Sequence, residues 1–153
     1  MDTVDSATRA RIMASVRGKH TKPELLVRSA LHRLGYRYRL HDKKLPGHPD
    51  IVFPMYKAII LVNGCFWHGH RCQLGTVPST RRKFWLEKFE RNRERDRRNI
   101  RLYRDMGWRV LVVWECALKG TRKLRFEEVV TRMVDWLHSD AEYRQIGGRK
   151  RRS

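Results

Sequence analysis

Four potential metal ligands crowd into one short stretch of the sequence. Cys65, His68, His70 and Cys72 lie within eight residues. Thiolate and imidazole groups are ligands that zinc prefers, and four protein ligands are typical of a structural zinc site. A distant cysteine, Cys116, would complete a Cys3His tetrahedron if the strand before it lay beside the strand before the loop. The sequence therefore predicts a structural zinc site formed by Cys65, His70, Cys72 and Cys116.

An alternative explanation is that these cysteines are small buried hydrophobic residues. It accounts for Cys116 but not for the crowded loop, although the ligand spacing is not that of a common zinc finger. A disulfide framework is not predicted, because the chain has three cysteines and no signal-peptide pattern. Metal ligation remains the favoured interpretation.

Two further side chains suggest hydrolytic chemistry. His68 is not needed for the zinc tetrahedron, and a neutral imidazole near a phosphate can act as a general base on water. The alternative is a histidine that faces solvent or only supports the ligands. Asp50 follows the turn 46–49 and opens a strand, where a carboxylate can hold Mg²⁺. The alternative for Asp50 is an ordinary turn residue.

Adjacent aromatic residues, Phe66 and Trp67, stand inside the metal-binding loop. Core packing is the usual fate of such side chains. A rigid zinc loop would instead hold them as a wedge that inserts between base pairs, as in proteins that kink DNA. Trp85, early in a basic helix, would join this wedge.

The charge of the chain points to a polyanionic partner. The sequence has 35 Lys and Arg residues against 16 acids, a formal charge of +19, and its isoelectric point is near 10.9. Nucleic acid is favoured over a membrane surface, because no basic amphipathic anchor stands alone. No stretch approaches the roughly 18 apolar residues of a membrane span, so we expect a soluble cytoplasmic protein.

Hydrophobic patterns predict the elements that position these residues. Thr21 and Glu24 match a capping box that begins a helix ending at Gly35. The other predicted elements are strands at 36–40, 51–53 and 58–62, a helix at 79–106 begun by Ser79 or Thr80, a strand at 108–114 and a helix at 124–137. This order predicts an α/β fold with a mixed central sheet flanked by helices, with 51–53 and 58–62 as an antiparallel hairpin.

Three regions follow from this division of the chain. Residues 1–20 form a basic N-terminal arm, residues 21–140 form a single domain, and residues 141–153 form a basic, disordered tail. Within the domain, residues 81–104 hold eleven Arg or Lys and four acids, a net charge of +7. Such a run is either a solvated helix face with pairs such as Glu87–Arg91 and Glu94–Arg98, or a surface for phosphate contact.

Five separated motifs follow one another along the chain: Pro46-Gly47-His48-Pro49-Asp50, Gly64 through Cys72, Phe84 through Lys88, Glu94-Arg95-Asp96, and Gly107 through Cys116. Taken together, they resemble the very short patch repair (Vsr) mismatch endonuclease family, and the resemblance covers about residues 5–138. The resemblance implies a restriction-endonuclease-like fold with a structural zinc. It also implies a monomer that nicks one strand of double-stranded DNA, with Mg²⁺, next to a T:G mismatch left by deamination of 5-methylcytosine.

The resemblance also implies a role for each site residue. Asp50 and the main-chain carbonyl of Val62 would hold Mg²⁺, His68 would act on the hydrolytic water, and Glu24 would support metal-bound waters. Cys65, His70, Cys72 and Cys116 would bind zinc. The side chains implied for DNA recognition are Phe66, Trp67, Trp85 and Met13 as intercalating residues, and Lys88 and Asn92 as residues that read the mismatched bases.

One position departs from the family pattern. Asn63 stands where the best-known members carry a histidine close to the cleavage centre, and an amide cannot serve as an acid or a base. Two other functions stay open from the residues alone: a zinc-stabilised DNA-binding module without catalysis, and a nuclease of the same fold with another target. The first would tolerate loss of Asp50 and His68, whereas an endonuclease would not.

Overall fold

A five-stranded sheet between two helical layers forms the core of the protein. The structure is a computed structural model that describes residues 21–150. The predicted N-terminal arm at 1–20, with Met13, therefore lies outside the described residues, as do residues 151–153. The elements are α1 (Lys22–Arg33), β1 (Arg39–Leu40), β2 (Ile51–Phe53), β3 (Ala58–Asn63), α2 (Arg82–Asp105), β4 (Arg109–Trp114), α3 (Phe126–Leu137) and β5 (Tyr143–Ile146).

The strands follow one another across the sheet in chain order, β1-β2-β3-β4-β5. The pairs β1–β2 and β2–β3 are antiparallel, and the pairs β3–β4 and β4–β5 are parallel. Parallel neighbours need long crossover connections, and these contain α2 and α3. The predicted mixed α/β sheet with flanking helices is confirmed, and so is the predicted β2–β3 hairpin.

Both faces of the sheet are buried, as its continuous apolar strands predict. On one face, α1 and α3 pack through Val27, Leu31, Val129, Met133 and Leu137 against side chains that include Ile60 and Leu111. On the other face, α2 packs through Tyr103 against Val52, Ile59, Val110 and Val112. Among the described helices, α2 alone packs on this face of the sheet.

Two predicted boundaries were wrong. Helix α2 begins at Arg82, not at Ser79 or Thr80, because Arg81 adopts a left-handed conformation with φ of 55° that a helix cannot include. The first strand covers only Arg39–Leu40, since the alternating residues before it make side-chain contacts with α1 and α3 instead. Tyr38, for example, donates a hydrogen bond to the main-chain carbonyl of Arg28 at 3.1 Å.

The prediction of a disordered tail at 141–153 was also wrong in part. Residues 143–146 form β5, which pairs in parallel with β4 and buries Ile146. The strand is otherwise exposed and polar, so its sequence gave little sign of it, and backbone pairing with β4 holds it in place. Gln145 also accepts a 2.7 Å hydrogen bond from the indole of Trp114. Among the described residues, no helix is long and apolar enough to span a membrane.

Candidate active site and metal centre

A cleft of about 960 Å³ is lined by half of the predicted site residues. It lies where β3 ends, between the start of α1 and the side of α2. The predicted residues that line it are Asp50, Val62, Phe66, Trp67, His68, Lys88 and Asn92. Asn63 lines it as well, so an amide stands in the cleft where the family resemblance leads one to expect an imidazole.

Asp50 is placed at the end of β3 by the hairpin register. Ile51 pairs with Ile60, so the residue before β2 reaches the last residues of β3, and the amide of Val62 donates a 2.8 Å hydrogen bond to Asp50 Oδ2. Burial raises the pKa of Asp50 to about 8; the nearby Glu24 carboxylate adds to this rise, and the Val62 hydrogen bond opposes it. A bound cation would reverse this effect, because it favours the ionised carboxylate.

Glu24 makes only one of the two hydrogen bonds of the predicted capping box. Its amide donates to Thr21 Oγ1 at 3.4 Å, which begins α1 as expected. Its carboxylate is 1% exposed and turns into the protein, where it accepts hydrogen bonds from Arg28 at 2.8 Å and contacts His41 Nε2 at 3.0 Å. Glu24, His41 and Asp50 each offer one ligand atom, and these atoms all lie within 4.8 Å of one another.

His68 is held by an acid on α2. Its Nδ1 is hydrogen-bonded to Asp96 Oδ2, and because a carboxylate only accepts, Nδ1 carries the proton and Nε2 keeps a lone pair. This is the arrangement that a general base requires. The sequence did not assign Asp96, although it stands eight residues after Lys88 and four after Asn92, on the same helical face.

The predicted zinc ligands come together as the sequence requires. Register pairs Val62 with Val113 across β3 and β4, so the loop after β3 lies beside Cys116. Ligand atoms of Cys65, His70, Cys72 and Cys116 all lie within 4.8 Å of one another. Three thiols and one imidazole at this spacing are a donor set that fits tetrahedral zinc.

The surroundings of this cluster also suit a cation. A hydrogen bond shared by the two buried cysteines lowers the pKa of Cys116 to about 5 and, together with burial, raises that of Cys65. The amide of Gly148 donates to Cys116 Sγ at 3.3 Å. The ring of His70 stacks on Trp114, with centroids 4.0 Å apart and planes 8° apart, which fixes the orientation of the imidazole.

Phe66, Trp67 and Trp85 form one aromatic cluster beside the cleft. The ring centroid of Phe66 lies 5.1 Å from that of Trp67 and 5.3 Å from that of Trp85. All three side chains are partly exposed, whereas Phe89 beneath them is buried. Trp85 does not line the cleft itself, but the contact with Phe66 joins it to the residues that do.

Helix α2 is hydrogen-bonded to three successive residues of the loop that follows β3. Asn92 Nδ2 donates to the carbonyl of Trp67 at 2.7 Å, Asp96 binds His68, and Arg93 Nη1 donates to the carbonyl of Gly69 at 3.3 Å. The aromatic residues and the imidazole are therefore positioned by consecutive turns of one helix.

The same helix also holds the loop that carries Asp50. Tyr103 donates a hydrogen bond to the carbonyl of Pro46, and burial raises the pKa of its phenol, so the hydroxyl stays a donor. Gly47 has φ of 71°, and a Cβ there would collide with the side-chain amide of Asn99. The positive φ therefore favours glycine at this position, and any other residue would also require the Asn99 side chain to move.

Ion pairs on α2 differ from those predicted. Within residues 21–150, Glu87–Arg91 and Glu94–Arg98 do not pair; Glu90 instead contacts Arg93 at 3.0 Å and Arg97 at 3.1 Å. The arginines of α2 that have no acidic partner within this part of the chain are Arg82, Arg91, Arg95, Arg98 and Arg101. Their charges are therefore available to phosphate groups.

Comparison with known proteins identifies similar sequences along nearly the whole chain. The family model described as "DNA mismatch endonuclease Vsr" matches residues 1–74. DNA mismatch endonuclease Vsr of Escherichia coli (strain K12) is 44% identical over 145 residues, which are 95% of this chain and 93% of that protein. Type II nicking enzyme V.XorIIP of Xanthomonas oryzae pv. oryzae is 50% identical over 131 residues, 84% of this chain and 96% of that enzyme. Type II nicking enzyme V.NmeAIP of Neisseria meningitidis is 45% identical over 119 residues, 78% of this chain and 85% of that enzyme.

Proposed function

Because the chain belongs to the Vsr family of DNA mismatch endonucleases, we propose that it nicks one strand of double-stranded DNA next to a T:G mismatch. It acts as a Mg²⁺-dependent monomer in the cytoplasm, on mismatches left by deamination of 5-methylcytosine. The finer fold assignment, a restriction-endonuclease-like domain, is part of the same proposal. The relatives carry the names of a mismatch endonuclease and of nicking enzymes.

One observation carries the proposal. A partly buried carboxylate, Asp50, and an imidazole oriented by an acid, His68 with Asp96, open onto the same cleft as the aromatic pair of the metal loop. Hydrolysis of a phosphodiester needs charge neutralisation at the phosphate and a base for the attacking water. The aromatic residues supply a separate function, the detection of a weakly paired step.

Each site residue would have a separate role in the reaction. Asp50 would hold the cation with the carbonyl of Val62, and Glu24 would orient water bound to it. The cation would supply Lewis-acid stabilisation of the charge that develops on the phosphate. His68 Nε2 would accept the proton of the attacking water, while Asp96 stabilises the imidazolium that forms. Asn63 has no proton to give or take in this scheme, so His68 is its acid–base group.

Recognition would use the other side of the cleft. Phe66, Trp67 and Trp85 would enter the stack beside the mismatch, with Met13 entering from the arm that precedes α1. Lys88 and Asn92 would face the mismatched bases. The unpaired arginines of α2 would bind phosphates and supply most of the affinity that does not depend on sequence.

The decisive experiment uses the zinc-loaded protein, Mg²⁺ and end-labelled duplexes that differ in one base pair, T:G or matched. We expect a nick in one strand of the T:G duplex only. Asp50→Asn should abolish nicking and keep binding, since removing a carboxylate does not weaken attraction to phosphate. Equal nicking of matched DNA would overturn the mismatch specificity, and nicking by Asp50→Asn would overturn the catalytic assignment. A DNA-binding module without catalysis would bind both duplexes and cut neither.

A further inference from the structure

Three side chains from three separate elements converge behind the cleft. Glu24 belongs to α1, His41 follows β1, and Asp50 precedes β2. One ligand atom from each lies within 4.8 Å of the other two. Of these three, the proposed function uses Glu24 and Asp50, and it leaves the imidazole without a role.

Strand register, not chance proximity, places the imidazole. Leu40 pairs with Ile51, and in the next step of the ladder the amide of His41 donates to the carbonyl of Asp50 at 3.1 Å. His41 then leaves the strand with φ of 47°, a left-handed conformation uncommon for residues other than glycine. Its Nε2 ends 3.0 Å from Glu24 Oε1, and the side chain is 12% exposed.

A metal ion would stabilise the two carboxylates of the cluster. Arg28 binds Glu24 Oε2 at 2.8 Å, which leaves Oε1 directed to the imidazole. Burying two carboxylates side by side is costly unless positive charge offsets them. A metal ion at the centre of the three ligand atoms would do so, and it would displace the proton that His41 Nε2 now shares with Glu24 Oε1.

We propose that His41 is a nitrogen ligand of the divalent cation that Asp50 holds, and that Glu24 binds this cation directly rather than through water. The inference rests on the proposed function, in which Asp50 binds the catalytic cation. Mg²⁺ prefers oxygen ligands, whereas imidazole suits transition metals. A site with two carboxylates and one imidazole therefore binds Mn²⁺ in preference to Mg²⁺, and His41 sets this preference.

The competing explanation is that His41 serves only as a hydrogen-bond partner of Glu24. The two explanations differ in one observable. A directly coordinated imidazole gives ¹⁴N hyperfine coupling to bound Mn²⁺ in pulsed electron paramagnetic resonance, and a hydrogen-bond partner outside the coordination sphere gives none of that strength.

The chain offers a closely matched control for this test. His48 lines the same cleft, has the same φ of 47°, and is not a member of the ligand cluster. We therefore compare His41→Gln with His48→Gln, each in the zinc-loaded, full-length protein without DNA. His68→Ala completes the set, because its imidazole also opens onto the cleft.

The expected result is one Mn²⁺ per chain, with ¹⁴N coupling in the unmodified protein, in His48→Gln and in His68→Ala, and none in His41→Gln. By calorimetry, His41→Gln should weaken Mn²⁺ binding roughly tenfold and Mg²⁺ binding much less. If His41→Gln does not fold, ¹⁵N-histidine labelling of the unmodified protein shows whether a histidine is coordinated, and coupling retained in both His48→Gln and His68→Ala excludes these two histidines as its source.

Each outcome decides something. Mn²⁺ that binds through Asp50 but shows no coupling to histidine nitrogen overturns the role of His41 and leaves the proposed function intact. Coupling that survives in His41→Gln has the same meaning. Binding that is unchanged in Asp50→Asn overturns the metal site itself, and with it the catalytic part of the proposed function.

Discussion

The side-chain amide of Asn92 donates a 2.7 Å hydrogen bond to the main-chain carbonyl of Trp67. One turn further along α2, Asp96 binds His68, the next residue of the same loop. An aromatic side chain proposed to enter the DNA stack and an imidazole proposed to activate water are thus neighbours held by one helix. Any displacement of Trp67 on insertion must therefore also move His68 relative to the bound phosphate.

Asn92→Ala should show whether the position of Trp67 affects cleavage by way of His68. Loss of the hydrogen bond loosens the loop, so we expect stability to fall by about 1 kcal/mol and turnover of the T:G duplex at saturating DNA to fall about tenfold. Affinity for matched DNA should stay the same, because Asn92 carries no charge. Asn92→Asp should be worse than alanine, since it points a carboxylate at a carbonyl oxygen. Single-turnover rates and urea unfolding measure both effects, and a normal rate in Asn92→Asp would contradict the link.

Asp96→Asn should slow strand cleavage by roughly 10²–10⁴, the usual contribution of a general acid–base group. The amide no longer stabilises an imidazolium at His68, and it can present a donor that forces the wrong tautomer. Glu90→Gln is the matched control, because Glu90 is an acid on the same helix that pairs, among the described residues, with Arg93 and Arg97 rather than with an imidazole. Its cleavage rate should be unchanged, and a slowed Glu90→Gln would show that net helix charge is the cause.

Asp50 should make the zinc-loaded protein less stable as the pH rises, when no Mg²⁺ is present. Its folded-state pKa of about 8 is above the ordinary value of 3.8, so its contribution is fully present below about pH 4 and is lost as the pH rises through 8. Each unit of pKa difference corresponds to about 1.4 kcal/mol. Relative to wild type, Asp50→Asn should therefore gain stability between pH 5 and 8.5 in urea unfolding. Parallel pH profiles of the two proteins would refute the raised pKa.

Gly148→Ala should weaken the zinc centre. A Cβ at Gly148 would stand 2.6 Å from the carbonyl of Cys116 and 2.8 Å from that of Arg122, so the segment after β5 must move away and the hydrogen bond to the Cys116 thiol is lost. We expect a cost of about 1–3 kcal/mol and faster release of zinc to a chelator. Gly147→Ala is the control, since nothing lies within 4 Å of its Cβ position.

Cys116→Ser should lose both the metal and most of the stability, because metal binding and folding are linked.

Trimming Phe66 and Trp67 together to alanine should erase the preference for T:G over matched duplexes. Unstacking costs least where base pairing is weak. Without the wedge, the protein no longer unstacks the bases, so the lower unstacking cost at T:G does not favour binding there. Salt-dependent affinity should remain, because the arginines of α2 are untouched. Phe126→Ala removes an exposed aromatic at the start of α3 and should keep the preference. Intact discrimination by a folded double mutant would assign these aromatics to packing alone.

Local patterns in the sequence determined the elements and much of the site. Thr21 begins α1 because its hydroxyl caps the helix, and the apolar runs at 58–62 and 110–113 form buried strands because they contain no polar side chain. Once those strands are parallel neighbours, Cys116 must lie beside the loop of Cys65. The sequence therefore predicted that the four zinc ligands come together, on the condition that these two strands are neighbours in the sheet.

Only the tertiary structure decided which distant side chains meet. Asp96 reaches His68 across 28 residues and His41 reaches Glu24 across 17, because helix docking and strand register set those distances and no sequence spacing encodes them. Glu24 had a plausible local partner in Thr21, yet its carboxylate turns inward to charged groups that the fold supplies. The same reason applies to β5 at residues 143–146. This strand is held by backbone hydrogen bonds to β4, which do not require a hydrophobic pattern in the sequence.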